Sequence, residues 1–112
     1  MNIAKQLERI GNLEYNWNNY GADKISKKVI DNVNFFFEVN KRKFKFNAVP
    51  NPYGTISLIR DCDAVILHLE IGETCFSFYS TVGKKYILGK ELITEDSFKL
   101  VGKYIKAILR NR

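Results

Sequence analysis

From Lys43 onward the apolar residues of this chain stop recurring every three or four positions and begin to alternate. That change of period divides the 112 residues into a helical first part and a β-rich second part, too short together for more than one domain. In the first part Ile3, Leu7 and Ile10, with Leu13 less regularly placed, share one side of a helix spanning residues 2–13. Ser26 reads as the N-cap of a second helix, Lys27 to about Asn40, with Ile25 and Ile30 at the two positions of a hydrophobic staple. Val29, Ile30, Val33, Phe36 and Phe37 fall on one face of it.

In the second part Phe44 and Phe46 alternate with Lys43, Lys45 and Asn47, which predicts a strand that the Pro50–Gly54 segment ends. Thr55–Arg60, Ala64–Ile71, Cys75–Thr81 and a short Lys85–Leu88 stretch read as further strands. The turns between them are Asp61-Cys62-Asp63, Gly72-Glu73 and Gly83-Lys84, short enough to specify an antiparallel meander. Thr94 caps a last helix, with Glu95 and Asp96 well placed in its first turn. Phe98, Val101, Ile105, Ile108 and Leu109 form its apolar face. The expected fold is α+β over residues 1–112. Two N-terminal helices precede a four- to five-stranded antiparallel meander, and a C-terminal helix packs on one sheet face.

The segment between the first two helices, Leu13-Glu14-Tyr15-Asn16-Trp17-Asn18-Asn19-Tyr20-Gly21-Ala22, resembles a motif of small bacterial and phage proteins. Their usual form is Asn-Trp-Asp-x-Tyr-Gly-Ala, followed by Gly-x-Ile-x-Leu, here Gly54-Thr55-Ile56-Ser57-Leu58, and by Leu-Glu-Ile, here Leu69-Glu70-Ile71. This chain has Asn18 where Asp is usual, and Ile59-Arg60 where Glu-Trp is common. The resemblance implies a bacterial or mobile-element origin and transfers no catalytic residue. Read physically, Asn16, Asn18 and Asn19 suit a turn bonded to its own backbone. Gly21 permits a positive φ, and Trp17 and Tyr20 suit the closing of a helix pair.

Composition narrows the chemistry. The net charge is +6, and residues 41–112 hold the whole excess; 13 of the 18 basic residues are Lys, in a chain also rich in Asn and Ile, as AT-rich codons produce. No apolar run approaches the ~18 residues of a membrane span. The first residues lack the apolar core of a secretory signal, so the expected compartment is cytoplasmic, with Cys62 and Cys75 reduced. His68 has no ligand partner at zinc-site spacing and no nucleophile on a recognisable elbow. Gly83-Lys84-Lys85 lies between strands, where a phosphate loop needs a helix N-terminus. Neither a metal nor a small-molecule cofactor is expected.

What remains is surface. On the last helix Lys99, Lys103, Lys106 and Arg110 fall within about 60° of arc, a stripe suited to phosphate or an acidic partner. Lys41, Arg42, Lys43 and Lys45 form a second basic cluster, interleaved with Phe44 and Phe46. Such interleaving marks some single-strand binders, although lysines on an edge strand also block sheet pairing. Phe35, with Val39, points away from its helix's main apolar face, to be covered by the first helix or left as a docking patch; Ile66 and Tyr79 occupy the outward sheet face.

The expected function is a non-enzymatic protein-binding module. Its concrete form is a phage or mobile-element inhibitor, anti-CRISPR-like or antitoxin-like, that docks on a larger protein or ribonucleoprotein, with direct RNA contact open to its basic surfaces. The alternatives are a RelE-like ribosome-dependent mRNA-cleaving toxin, using Arg60, His68, Tyr79, Lys85 and Tyr104, and a simple basic RNA- or DNA-binding protein.

Overall fold

A computed structural model describes residues 2–81 and 87–110. Helix α1 (Ile3–Gly11) starts at Asn2, whose side chain accepts the Lys5 amide. Helix α2 (Lys27–Val39) starts at the expected cap: Ser26 Oγ accepts the Val29 amide at 3.3 Å. Then come β1 (Asn47–Pro50), β2 (Ile56–Cys62), β3 (Val65–Ile71), β4 (Cys75–Ser80), β5 (Leu88–Leu92) and helix α3 (Glu95–Arg110). Thr94 and Ser97 cap α3 reciprocally, each side-chain oxygen accepting the other's amide at 2.9 Å.

The strands form a five-stranded antiparallel meander in sequence order, so the α+β expectation holds. One face of the sheet carries Ile56, Leu58, Leu67, Leu69, Ile71, Phe76 and Phe78, all buried. The helices contribute Leu7, Ile10, Val29, Val33, Phe36, Phe98, Val101 and Ile105 to the same core. Phe98 is its hub: the rings of Phe76, Phe36 and Phe35 lie 4.9, 5.4 and 5.7 Å from it. The outer edge of β1 is shielded by α1, since Gln6 Oε1 accepts the Ala48 amide at 2.7 Å and Gln6 Nε2 donates to Asn47 Oδ1. No described helix is long and apolar enough to cross a membrane.

Several expectations need correction. The strand foreseen from Lys43 begins only at Asn47. The alternation of Phe44 and Phe46 reflects packing rather than pairing, because the Phe46 ring meets Phe36 and Phe37 of α2 at 6.1 and 6.5 Å. Strand β2 runs through Asp61 and Cys62, leaving Asp63-Ala64 as the turn, with Asp63 at a φ of 61°. The last strand is Leu88–Leu92 rather than Lys85–Leu88; it is a polar edge strand whose weak alternation hides it, and Gly83, Lys84 and Lys85 lie outside the described residues. Phe35 is half-buried, and the ring it packs against is Phe98 of α3 rather than a residue of α1.

The Asn-rich segment is a loop stapled by its own side chains. Asn16 Oδ1 accepts the Gly21 amide at 2.7 Å, and Asn18 Oδ1 accepts the Tyr20 and Ala22 amides. Asn16, Asn19 and Gly21 hold positive φ there. Asn18 acts only as an acceptor in these bonds, a role an aspartate would fill equally. Trp17 Nε1 donates to the Asp23 carbonyl at 2.8 Å, and Lys24 Nζ donates to the Gly11 and Leu13 carbonyls at the end of α1. Tyr20 plugs nothing: it is 90% exposed.

Candidate functional site

The two basic clusters, far apart in sequence, meet in space. Lys41 and Lys43, following α2, and Lys99, Lys103 and Lys106, on α3, line one groove of about 350 Å³. Its lining contains no carboxylate. Lys99 is paired with Glu95 at 3.1 Å within α3, while among the described residues no acid pairs with Lys41, Lys43, Lys103 or Lys106. The four lysines without an acidic partner repel one another around this concavity, and an anion seated there relieves that repulsion. Arg42 turns aside toward Glu38 at 4.0 Å, and Lys45 and Arg110 do not line the groove.

Local chemistry explains how Lys41 and Lys43 arrive there. Helix α2 ends in a Schellman motif: the Lys41 amide donates to the Glu38 carbonyl and the Arg42 amide to the Phe37 carbonyl, at 3.0 and 2.7 Å. Lys41 and Arg42 sit at φ of 55° and 54°, where glycine is the usual occupant. The floor is closed by Asn40, whose Nδ2 donates to the Phe36 and Phe98 carbonyls at 3.0 and 3.2 Å, tying α2 to α3. Gly102 lies directly beneath, and a Cβ on it would collide with Asn40 Oδ1. Phe44, half-buried, forms one wall of this groove and also lines a second groove of about 680 Å³ that carries Lys45, Arg60 and Asp61. Sequence reasoning placed neither Asn40 nor Gly102 at the site; the signal was a lone glycine inside an amphipathic helix.

The left-handed pair allows stability and binding to be separated. Lys41→Gly will stabilise the fold by about 1 kcal/mol, since an L-residue there carries a steric cost. It will also weaken anion binding several-fold. Arg42→Gly will stabilise similarly and leave binding unchanged. Thermal melts beside a binding titration of both variants check this.

The outward sheet face differs in character. Ile66 and Tyr79 are 40% and 46% exposed, as expected, with Val49 and Tyr53 also uncovered nearby. Between them runs a hydrogen-bonded chain. His68 Nδ1 lies 3.3 Å from the Tyr79 hydroxyl and Nε2 2.9 Å from Ser57 Oγ. Asn51 Nδ2 donates to Ser57 Oγ and to Thr55 Oγ1, and Thr55 Oγ1 donates to Glu70 at 2.8 Å. Desolvation first, then the charge and hydrogen bond of Glu70, push the Tyr53 phenol above its ordinary range, against an opposing hydrogen bond from Thr55. Ser57 is buried with its hydroxyl engaged on both sides, so the Ser57–His68 contact is a strut and not an exposed nucleophile.

The residues of a ribonuclease reading are divided by the sheet. Arg60 pairs in register with Leu67 on the helix-covered face, where its Nε donates to Cys62 Sγ at 3.0 Å. Tyr104 packs on the core from α3. His68 and Tyr79 stand on the opposite face, and Lys85 lies outside the described residues. Among the described residues no group of three or more His, Cys, Asp and Glu is placed to hold a metal ion.

No family model, curated protein or solved structure matches this chain. Its functional reading therefore stands on the groove and its surroundings.

Proposed function

We propose that the protein is a non-catalytic binding module that docks onto a larger nucleoprotein, its basic groove gripping the phosphate backbone of the nucleic acid. The observation that carries this reading is the meeting of Lys41 and Lys43 with Lys99, Lys103 and Lys106 around a concavity free of carboxylates. Lysine is a point charge on a flexible stem, suited to following phosphates without reading bases. The exposed Ile66 and Tyr79 on the far side of the sheet supply a second surface for the protein component of such an assembly. In this reading the chain acts as a stoichiometric inhibitor of the anti-CRISPR or antitoxin kind, covering nucleic acid that the larger enzyme needs.

The test is the ionic-strength dependence of binding to isolated RNA and DNA. Four phosphates neutralised by the unpaired lysines give a slope of log K against log salt of about −2.8 for a single strand and about −3.6 for a duplex. Fluorescence anisotropy across a potassium chloride series measures it. Absence of binding at low salt, or a slope near zero, overturns the reading.

A further inference from the structure

We infer that the groove takes a single strand of nucleic acid rather than a duplex, seating one base against the ring of Phe44 while the lysines hold the flanking phosphates. This deepens the phosphate-binding reading and rests on it. Three features of the site point the same way.

The first is shape. A helix that reads a duplex enters the major groove, about 12 Å wide, with a free convex face. The lysine stripe of α3 is not free in that sense. Residues Lys41, Lys43 and Phe44 line the same concavity as Lys99, Lys103 and Lys106, so the chain after α2 stands beside the stripe and walls it. A single strand, whose backbone bends and whose bases are unpaired, follows the concavity.

The second is the wall itself. Phe44 is half-buried, packs against the core and lines both grooves. Phe44 is an aromatic shared by the linings of a basic groove of about 350 Å³ and a neighbouring one of about 680 Å³, the kind of side chain on which bases stack, with space beyond it for the next nucleotide. Lys45 and Arg60 in the second groove continue the positive lining past Phe44, with Asp61 the acid on that side.

The third is chemistry. The cations in the first groove are all lysines, which hold phosphate as point charges on flexible stems and impose no planar recognition geometry. Stacking on Phe44 with lysine-held phosphates is sequence-tolerant, because every base has a π-face. RNA and DNA share both features, and parallel titrations with the two tell whether the 2′-hydroxyl is sensed.

The experiment titrates the whole protein into labelled oligonucleotides of about twelve nucleotides: single-stranded RNA, single-stranded DNA, the corresponding duplexes, and a strand whose bases are replaced by abasic spacers. The single strands should bind on the order of tenfold more tightly than the duplexes or the abasic strand. Phe44→Leu, which keeps an apolar wall and removes the π-face, should bring the normal strand down to the abasic one while leaving abasic binding unchanged. Equal binding of single strand, duplex and abasic strand, all of it lost in a Lys103→Glu/Lys106→Glu variant, overturns the single-strand inference and leaves the phosphate-binding reading standing. Absence of binding to every oligonucleotide overturns both.

Discussion

Reversing the charge of Lys103 and Lys106 together, to Glu, will reduce affinity for nucleic acid at low salt on the order of 100-fold or more, and will leave the fold intact. The first half follows from the groove. Both side chains are exposed, line the same concavity, and have no carboxylate partner among the described residues. Removing two phosphate contacts should flatten the single-strand salt slope by about 1.4, and the introduced carboxylates add repulsion at short range. The second half follows from the helix. Glu and Lys have similar helix propensity, so the exchange costs little on a solvated face. A carboxylate in the later part of α3 opposes the helix dipole by roughly 0.3–1 kcal/mol. Relief of repulsion among the lysines offsets part of that cost, as does the new i,i+4 pairing that Lys106→Glu makes with Arg110. Anisotropy titrations at several salt concentrations and a thermal melt monitored by circular dichroism read both halves. Unchanged affinity in a folded double variant would remove the groove from the binding surface.

The groove shows what a single sequence can and cannot disclose here. The helices were legible because local chemistry decides them: Ser26 and Thr94 cap as expected, and the apolar faces of α2 and α3 repeat at helical spacing. The meander was legible because short polar turns separate alternating segments, and β2, β3 and β4 lie within a residue or two of expectation. The site was not legible as a site. Each basic cluster is visible alone, but their meeting depends on how α2 and α3 cross, and that is set by long-range packing of Phe35, Phe36 and Phe98. Period-two spacing misled at Phe44 and Phe46 because a ring set against α2 and a neighbour two residues away packed on the core alternate as they would on a strand. The edge strand Leu88–Leu92 was hidden by its polarity. The contact between Asn40 and the Phe98 carbonyl joins residues 58 positions apart, beyond any local pattern.

That contact makes Gly102→Ala the variant with the clearest sign. Gly102 lies in the interior of α3, where helix propensity alone favours alanine by about 1 kcal/mol. The structure predicts the opposite. A Cβ at this position would occupy the space of Asn40 Oδ1, so the carboxamide has to leave. With it go the two hydrogen bonds from Asn40 Nδ2, one of them to the Phe98 carbonyl across the helix pair. Two lost bonds at a part-buried position cost about 2 kcal/mol. Set against the propensity gain, the net destabilisation is about 1 kcal/mol, a fall in Tm of roughly 4 °C for a domain of this size. The groove loses its floor at the same time, so binding weakens along with stability. A second background makes the cause testable. In an Asn40→Ala protein the collision is gone, and Gly102→Ala should then stabilise by up to about 1 kcal/mol, as propensity alone dictates. Thermal melts of the two single variants and the double variant measure that reversal of sign. If Gly102→Ala stabilises the protein with Asn40 in place, Asn40 does not clamp the two helices over this glycine.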